Sequence, residues 1–272
     1  MKPIETGTND LLAHIDGSVG TIVLNRPERR NAMTLEMTQA LGEVLADMDS
    51  DPEVGAVVLT GAGGAFCAGG DVKRFGDNGG DVPTGEMTAD QWRQRRLDMQ
   101  LHTVVRLREM TTPVLAALPG AVAGAGLGVA LACDLRIGSD RTLITTAFVK
   151  IGLPGDFGVS WQLHHLVGPS RARRLMLLSE RIDGGTALDL GLLDWLVPDG
   201  ELAETAQRTA ASIAAMPRPA VRAILGNLRD AAAFGLVEAM HREVDRYAGC
   251  SATAEHREAV AAFAAPREKG NT

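Results

Sequence analysis

Ala65-Phe66-Cys67-Ala68-Gly69-Gly70-Asp71 and Gly120-Ala121-Val122-Ala123-Gly124-Ala125-Gly126-Leu127-Gly128 are the two stretches on which the reading of this chain turns. Each follows an apolar run with strand character, Ala56-Val57-Val58-Leu59-Thr60 before the first and Pro113-Val114-Leu115-Ala116-Ala117 before the second. Each then leads towards a helix start. Glycine and alanine let backbone approach a ligand closely, with no side chain in front of the N–H groups. Two readings stand at this point. Either the segments are tight turns packed against helices, or they aim two N–H donors at one carbonyl oxygen. The second arrangement is an oxyanion hole, which stabilises negative charge as it develops on a substrate.

Outward from these segments the pattern alternates strands with helices. Residues 11–15 and 21–24 are strand-like and joined by Asp16-Gly17-Ser18, which predicts a hairpin. The loop from Leu24 to Ala32 carries Arg26, Arg29 and Arg30. Thr34 is an N-cap for an amphipathic helix to about Met48, with Leu35, Thr38, Leu41, Leu45 and Met48 on one side. Residues 76–88, rich in Gly, Asp and Pro, predict a surface loop whose functional reading is a substrate lid. A long helix over 89–110 stops before Pro113. Short strands are predicted at 134–138 and 143–146, a loop at 151–158, and helices at 159–167 and 170–179. From Glu201 the chain is alanine-rich and almost wholly helical, broken once at Met216-Pro217-Arg218-Pro219. That pattern divides it into a core over 1–200 and a helical module over 201–272, packed on the core or on a neighbouring subunit.

Composition narrows the function. Aromatic residues make up only 4% of the 272 residues, so aliphatic side chains and alanine must fill the core. A net charge of −7 argues against nucleic acid as a partner, because phosphate neutralisation needs a basic face. Cys67, Cys133 and Cys250 are odd in number and far apart, which predicts no disulfide framework, no metal site and a reducing, cytoplasmic setting. No apolar run reaches the ~18–20 residues of a membrane span, and Met1-Lys2-Pro3-Ile4-Glu5 lacks the apolar stretch of a secretory signal.

Taken in order, the landmarks resemble the crotonase superfamily, the enoyl-CoA hydratase/isomerase family. They are Asn25-Arg26-Pro27…Asn31-Ala32, Phe66-Cys67-Ala68-Gly69-Gly70-Asp71, Pro113-Val114…Gly120…Gly124-Ala125-Gly126, Cys133-Asp134, Ile151-Gly152-Leu153-Pro154 and Leu166-Val167-Gly168. They span about residues 10 to 265. The resemblance implies an α/β fold, a spiral of β-β-α units with a C-terminal helical region that trimerises, assembled as a homotrimer or a homohexamer. It implies an acyl-CoA thioester as substrate and partner. Coenzyme A then enters as part of that substrate, with no tightly bound cofactor.

Carried over position by position, the two donor N–H groups fall on Gly70 and Ala125. Ala68, Gly128 and Phe148 fall in the substrate pocket. Arg26, Arg29 and Arg30 lie where the family places basic residues near the pyrophosphate and adenosine of coenzyme A; the other reading of them is a solvated charged loop. Arg267 and Lys269 are read as surface charge or as reaching a neighbour's cofactor. Typical hydratases of the family use two glutamates, whose positions here hold Gly128 and Phe148, so two-carboxylate water addition is not expected.

Asp156, in Ile151-Gly152-Leu153-Pro154-Gly155-Asp156-Phe157-Gly158, matches the loop in which dienoyl-CoA isomerase-like members carry a catalytic aspartate. The same position holds the nucleophile in the 4-chlorobenzoyl-CoA dehalogenase branch. Asp156 is therefore the leading catalytic residue, with a helix N-cap as its other reading. Phe148 is read as apolar burial beside it or as plain packing. Asp71 is read as a brace for its turn, Cys67 as packing rather than a nucleophile, Asp134 as structural, and His164-His165 as lacking metal-ligand company. His102 faces either pocket or core. Three functions follow: an isomerase working with one aspartate, an aspartate-nucleophile hydrolase or dehalogenase-like enzyme, and a non-catalytic acyl-CoA-binding subunit.

Overall fold

The computed structural model describes residues 1–72, 85 and 87–265. Most of the 76–88 loop, with Arg267 and Lys269, therefore lies outside the described residues. The strands among them are β1 (Lys2–Ile4), β2 (Leu11–Asp16), β3 (Val19–Leu24), β4 (Ala56–Gly61), β5 (Val114–Leu118), β6 (Ala121–Ala123), β7 (Leu135–Ser139), β8 (Leu143–Thr145), β9 (Ile182–Asp183) and β10 (Trp195–Val197). The larger sheet runs β1-β2-β3-β4-β5-β7-β10 and the smaller β6-β8-β9. In the larger sheet the first three strands are antiparallel, as the expected hairpin requires, and the pairings from β3 onward are parallel; in the smaller, β6 and β8 are parallel and β8 and β9 antiparallel.

Strands buried on both faces read as continuous apolar runs, and β4 and β5 do. Alternation then sorts their side chains. Val57, Leu59, Val114 and Ala116 face the main core, which they share with Met37, Leu41, Leu45 and Met48 of α1 (Leu35–Ser50). Ala56, Val58, Leu115 and Ala117 face the other way, onto Leu202, Ala206 and Ala210 of a later helix. The Thr34 hydroxyl caps α1 by accepting from the Met37 N–H.

The long helix has three parts: α2 (Ala89–Gln100), a π-helical turn (Leu101–Val105) and α3 (Arg106–Glu109). The wider turn rests on α1 at Gly42, where an added Cβ would stand 2.6 Å from the His102 carbonyl oxygen. After it come α4 (Ala125–Ala132) and α5 (Val159–Leu178). α5 is two helices in effect, because Gly168 leaves helical geometry (φ 78°, ψ 167°) just before Pro169. The expected division at that point is observed.

α6 (Gly184–Asp189) precedes the tail, which consists of α7 (Leu202–Ala214), α8 (Arg218–Ala233), α9 (Leu236–Ser251) and α10 (Ala254–Ala264). α7 covers the outer face of the large sheet through the three residues named above. α8 and α9 are joined by Arg246, which pairs with Asp230 at 2.6 Å and donates to Asn227 at 2.9 Å. No helix among the described residues is long and apolar enough to cross a membrane. The sequence reading missed β1, β6, β9 and β10. Each is two or three residues long and shows too few side chains for alternation to be visible.

Candidate active site

The two glycine-rich segments lie against each other. The N–H groups of Phe66 and Cys67 both donate to the Ala121 carbonyl, at 3.1 and 3.0 Å, and Ala123 N–H donates to the Cys67 carbonyl at 2.9 Å. On its other side the first segment is tied to the arginine loop: Ala68 N–H donates to Arg30 and Met33 N–H to the Gly69 carbonyl. Gly69 (φ 95°) and Gly124 (φ 52°) take backbone conformations that suit glycine. A Cβ at Gly69 would stand 3.0 Å from the Ala123 carbonyl oxygen and 3.5 Å from the Ala125 nitrogen, so the segments meet closely enough that a side chain there would press on the second one. Ala125 is the first residue of α4, and Gly124 caps it without a side chain. Among the described residues, neither the Gly70 nor the Ala125 N–H has a protein acceptor. One end of a helix dipole adds positive potential at Ala125.

Asp156 stands on a turn docked against that same helix. Gly155 (φ 144°), Phe157 (φ 49°) and Gly158 (φ 66°) all have positive φ. For phenylalanine this geometry costs on the order of 1 kcal/mol or more and needs support from its surroundings. The support is visible: Phe157 is buried, and Gln162 donates from Nε2 to the carbonyls of both Phe157 (3.2 Å) and Gly128 (2.9 Å). A Cβ at Gly128 would stand 2.5 Å from the Phe157 carbonyl oxygen. Glycine at 128 is thus what lets the Asp156 turn lie on the first turn of α4.

Substituting Gly128→Glu is expected to destabilise the fold by about 1–3 kcal/mol or more in chemical denaturation, by overpacking. It is expected to create no hydratase.

The Asp156 side chain does not cap α5, whose N-cap is Gly158 with no side-chain hydrogen bond. The carboxylate instead pairs with the Arg96 guanidinium of α2. Arg96 also lies over the Trp92 ring, 5.2 Å from its centroid. Phe148 is buried, with its ring carbons 3.8 and 3.9 Å from where a Cβ on Gly124 would be. It belongs to a 3-10 turn (Phe148–Ile151) whose Phe148 carbonyl accepts from the Leu153 N–H. Gly70, Ala125, Gly128, Phe148 and Asp156 are therefore brought to one region, and Ala68 lies on the same segment as Gly70.

The three loop arginines are separated. Arg26 turns inward, donating to the Ala32 carbonyl at 2.7 Å and pairing with Asp10 at 3.5 Å and Asp71 at 3.4 Å. Asp71 thus braces the end of the first glycine-rich segment. Arg29 and Arg30 are exposed at the end of the 3-10 turn (Pro27–Arg29). Asn31, fully buried with φ 56°, holds the loop together. Its Nδ2 donates to the Ala62 and Ala65 carbonyls at 2.9 and 2.8 Å, and its Oδ1 accepts from Arg26 N–H at 2.8 Å.

Sequence reasoning missed Asn31 as a residue with a job of its own, although asparagine tolerates left-handed backbone and carries both donors and acceptor. It missed Arg96 as well. Spacing alone gave no signal that this residue, rather than another on α2, meets Asp156.

The remaining candidates sort by burial. Cys67 is wholly buried and burial pushes its thiol up to about 12, which suits packing and not nucleophilic attack. Alkylation of the folded protein with iodoacetamide at pH 8 should leave Cys67 unmodified and label the partly exposed Cys250, as read by peptide mass spectrometry. Asp134 accepts from Val114 N–H at 2.8 Å, and burial raises its carboxyl above the usual range. His102 is exposed, with Nδ1 2.7 Å from the Asp98 carbonyl. His165 stacks on Trp161. No group of three or more His, Cys, Asp or Glu among the described residues could hold a metal ion.

Comparison with known proteins identifies the family. The family model described as enoyl-CoA hydratase/isomerase matches residues 14–271. A 1,2-epoxyphenylacetyl-CoA isomerase of Escherichia coli is 34% identical over 258 residues, covering 94% of this chain and 96% of its own. A probable enoyl-CoA hydratase of Mycobacterium tuberculosis is 36% identical over 234 residues, covering 86% and 87%. The crystal structure of an enoyl-CoA hydratase from Polaromonas superposes with a TM-score of 0.86 at 29% identity, covering 93% of this chain and 96% of that one. With this fold and a match along nearly its whole length, the chain belongs to the enoyl-CoA hydratase/isomerase family of the crotonase superfamily, whose enzymes act on acyl-CoA thioesters.

Proposed function

We propose that this chain is an acyl-CoA isomerase that works with one carboxylate, Asp156. The thioester carbonyl oxygen accepts from the N–H groups of Gly70 and Ala125. Asp156 takes a proton from an acidic carbon of the acyl group, and the resulting enolate is held by the two donors. The same carboxyl returns the proton to a different carbon and is regenerated as carboxylate. No water is added and no net charge changes.

The observation that carries this reading is the docking of the Asp156 turn on the first turn of α4, two residues of which, Ala125 and Gly128, belong to the site. Turnover in heavy water tests it. An isomerase incorporates deuterium at the α or γ carbon of an enoyl-CoA and yields an isomeric enoyl product. A hydroxyacyl-CoA product, or oxygen-18 from solvent appearing in Asp156, overturns it.

Arg29 and Arg30, exposed on their loop, support a contact with the phosphates of coenzyme A. Residues 201–272 support assembly into a homotrimer or homohexamer: α9 leaves Leu236, Val237, Met240, Val244 and Tyr247 exposed. Sedimentation as a monomer would exclude that assembly. The three free thiols support a reducing, cytoplasmic setting.

A further inference from the structure

Gly69 and Gly70 are adjacent glycines, the loosest backbone a chain offers, so the direction of the Gly70 N–H has to be imposed from outside. The loop from Arg26 to Met33 imposes it at three points. Ahead of the glycines, Ala68 N–H donates to the Arg30 carbonyl at 3.0 Å. At their centre, Met33 N–H donates to the Gly69 carbonyl at 2.8 Å. That carbonyl and the Gly70 N–H belong to one planar trans peptide and point in opposite directions, so gripping the oxygen aims the donor away from Met33. Behind the glycines comes Asp71, the first side chain after them, whose carboxylate Arg26 holds at 3.4 Å. Each nitrogen of the Arg26 guanidinium is engaged: Nη2 with Asp71, Nη1 with the Ala32 carbonyl at 2.7 Å, and Nε with Asp10 at 3.5 Å. Asp10 in turn accepts at 2.9 Å from the Thr34 hydroxyl, the N-cap of α1.

From this we infer that Arg26 is a positioning residue for the oxyanion donor at Gly70, acting through Asp71, and is not a ligand of the coenzyme A phosphates. The inference rests on the proposed seat of the thioester carbonyl between Gly70 and Ala125. The Arg26 side chain is only 16% exposed. A phosphate that drew it away would leave Asp10 and Asp71 without their cation and would itself stand beside two carboxylates. Arg29 and Arg30, exposed on the same loop, carry no such cost. Without the guanidinium, Asp71 is left unpaired among the described residues, and the chain after the glycines loses its anchor. The Met33 contact alone then sets the peptide. Oxyanion stabilisation depends on donors placed within a few tenths of an ångström of hydrogen-bond distance, so a small drift of the Gly70 N–H weakens it. The loop that bears Arg29 and Arg30 is thus also the one that aims Gly70, and a single piece of backbone sets both the nucleotide end and the carbonyl end of a thioester.

Infrared difference spectroscopy tests this with saturating butanoyl-CoA carrying carbon-13 at its carbonyl, a thioester with no double bond to move. Hydrogen bonds to the carbonyl oxygen lower its stretching frequency, so the band reads the oxyanion donors directly. The wild-type protein should bring the bound band below its position in water. Arg26→Gln and Asp71→Asn should each lose about half of that shift, the share of one donor in two. The double variant should lose no more than either alone, because both act on one contact. With an enoyl-CoA, kcat should fall about 10- to 100-fold in each, while calorimetric affinity for free coenzyme A stays within about twofold of wild type. A merely structural arginine would lower the melting temperature and leave the band of the folded protein in place. Asp71→Asn keeps the shape of its side chain, so it gives the answer even where Arg26→Gln fails to fold. A wild-type band in either folded variant, or a loss of coenzyme A affinity with the band unmoved, overturns the inference. Should Ala125→Pro reduce the shift while Arg26→Gln and Asp71→Asn leave it, the oxyanion reading stands and this one falls. Should the wild-type protein show no shift, the oxyanion reading falls and takes this one with it.

Discussion

Asp156→Asn is expected to lower kcat by about 10²- to 10⁴-fold, the range that one positioned proton carrier contributes, with a much smaller change in KM. Asparagine keeps the shape of the side chain and can still accept from Arg96, so the fold should hold and circular dichroism should be unchanged. What asparagine cannot do is receive a proton at neutral pH. The strained turn that presents the residue, with Phe157 at φ 49°, is set by Gln162 and the bare backbone at Gly128 rather than by the carboxylate. Loss of activity would therefore report on chemistry. Unchanged turnover across a panel of thioesters would remove Asp156 from the chemistry, and no turnover by the wild type on any of them would leave the chain a binding protein.

A comparable loss, about 10²- to 10³-fold in kcat or ~2.7–4 kcal/mol, is expected for Ala125→Pro. Proline at the first position of a helix is well tolerated, since its missing N–H has no helical partner there in any case. Ala125 occupies that position in α4. The substitution deletes one proposed oxyanion donor while leaving the helix and its apolar packing in place. Ala125→Gly, which keeps the N–H, should retain most activity. Stopped-flow or steady-state assays on the two variants, with thermal melting to confirm folding, check the pair. Equal activities would remove Ala125 from the oxyanion assignment.

Much of this architecture is legible without coordinates, and the reasons are local. Thr34 announces α1 because its hydroxyl serves the N–H three residues on, and Gly168-Pro169 announces the break in α5 because helical backbone cannot pass through it. The runs in β4 and β5 betray a sheet covered on both faces. In the site, the ordered glycine-rich segments and Asp156 could be placed together, because backbone conformation and position in an ordered pattern are written in the residues themselves.

Side-chain direction was not. Arg26, Arg29 and Arg30 are the same residue three times within one short loop. Only the 3-10 turn between them sends the first inward to Asp10 and Asp71 and leaves the other two outside. Asp156 and Arg96 are 60 positions apart, and no periodicity ties one to the other. The strands β6 and β9 were lost to brevity, although β6 is what pairs the second glycine-rich segment with the first.

The π-helical turn over Leu101–Val105 gives the Arg96 contact an unusual dependence on chain length. Such a turn holds one residue more than an α-helix would use, and each residue of a helix corresponds to about 100° of rotation. Deleting a single residue there would let the helix run straight through. Everything before the deletion would keep its facing, because the shorter α-helical stretch turns through nearly the same angle as the π turn it replaces, and Arg96 would stay on the side of Asp156; the same deletion elsewhere in α2 would swing it away by roughly that angle. Relatives lacking the extra residue of this turn would then keep the pairing of arginine and aspartate, whereas those shortened elsewhere in the helix would lose it. In this chain, partnership across the cleft is a matter of counting as much as of chemistry.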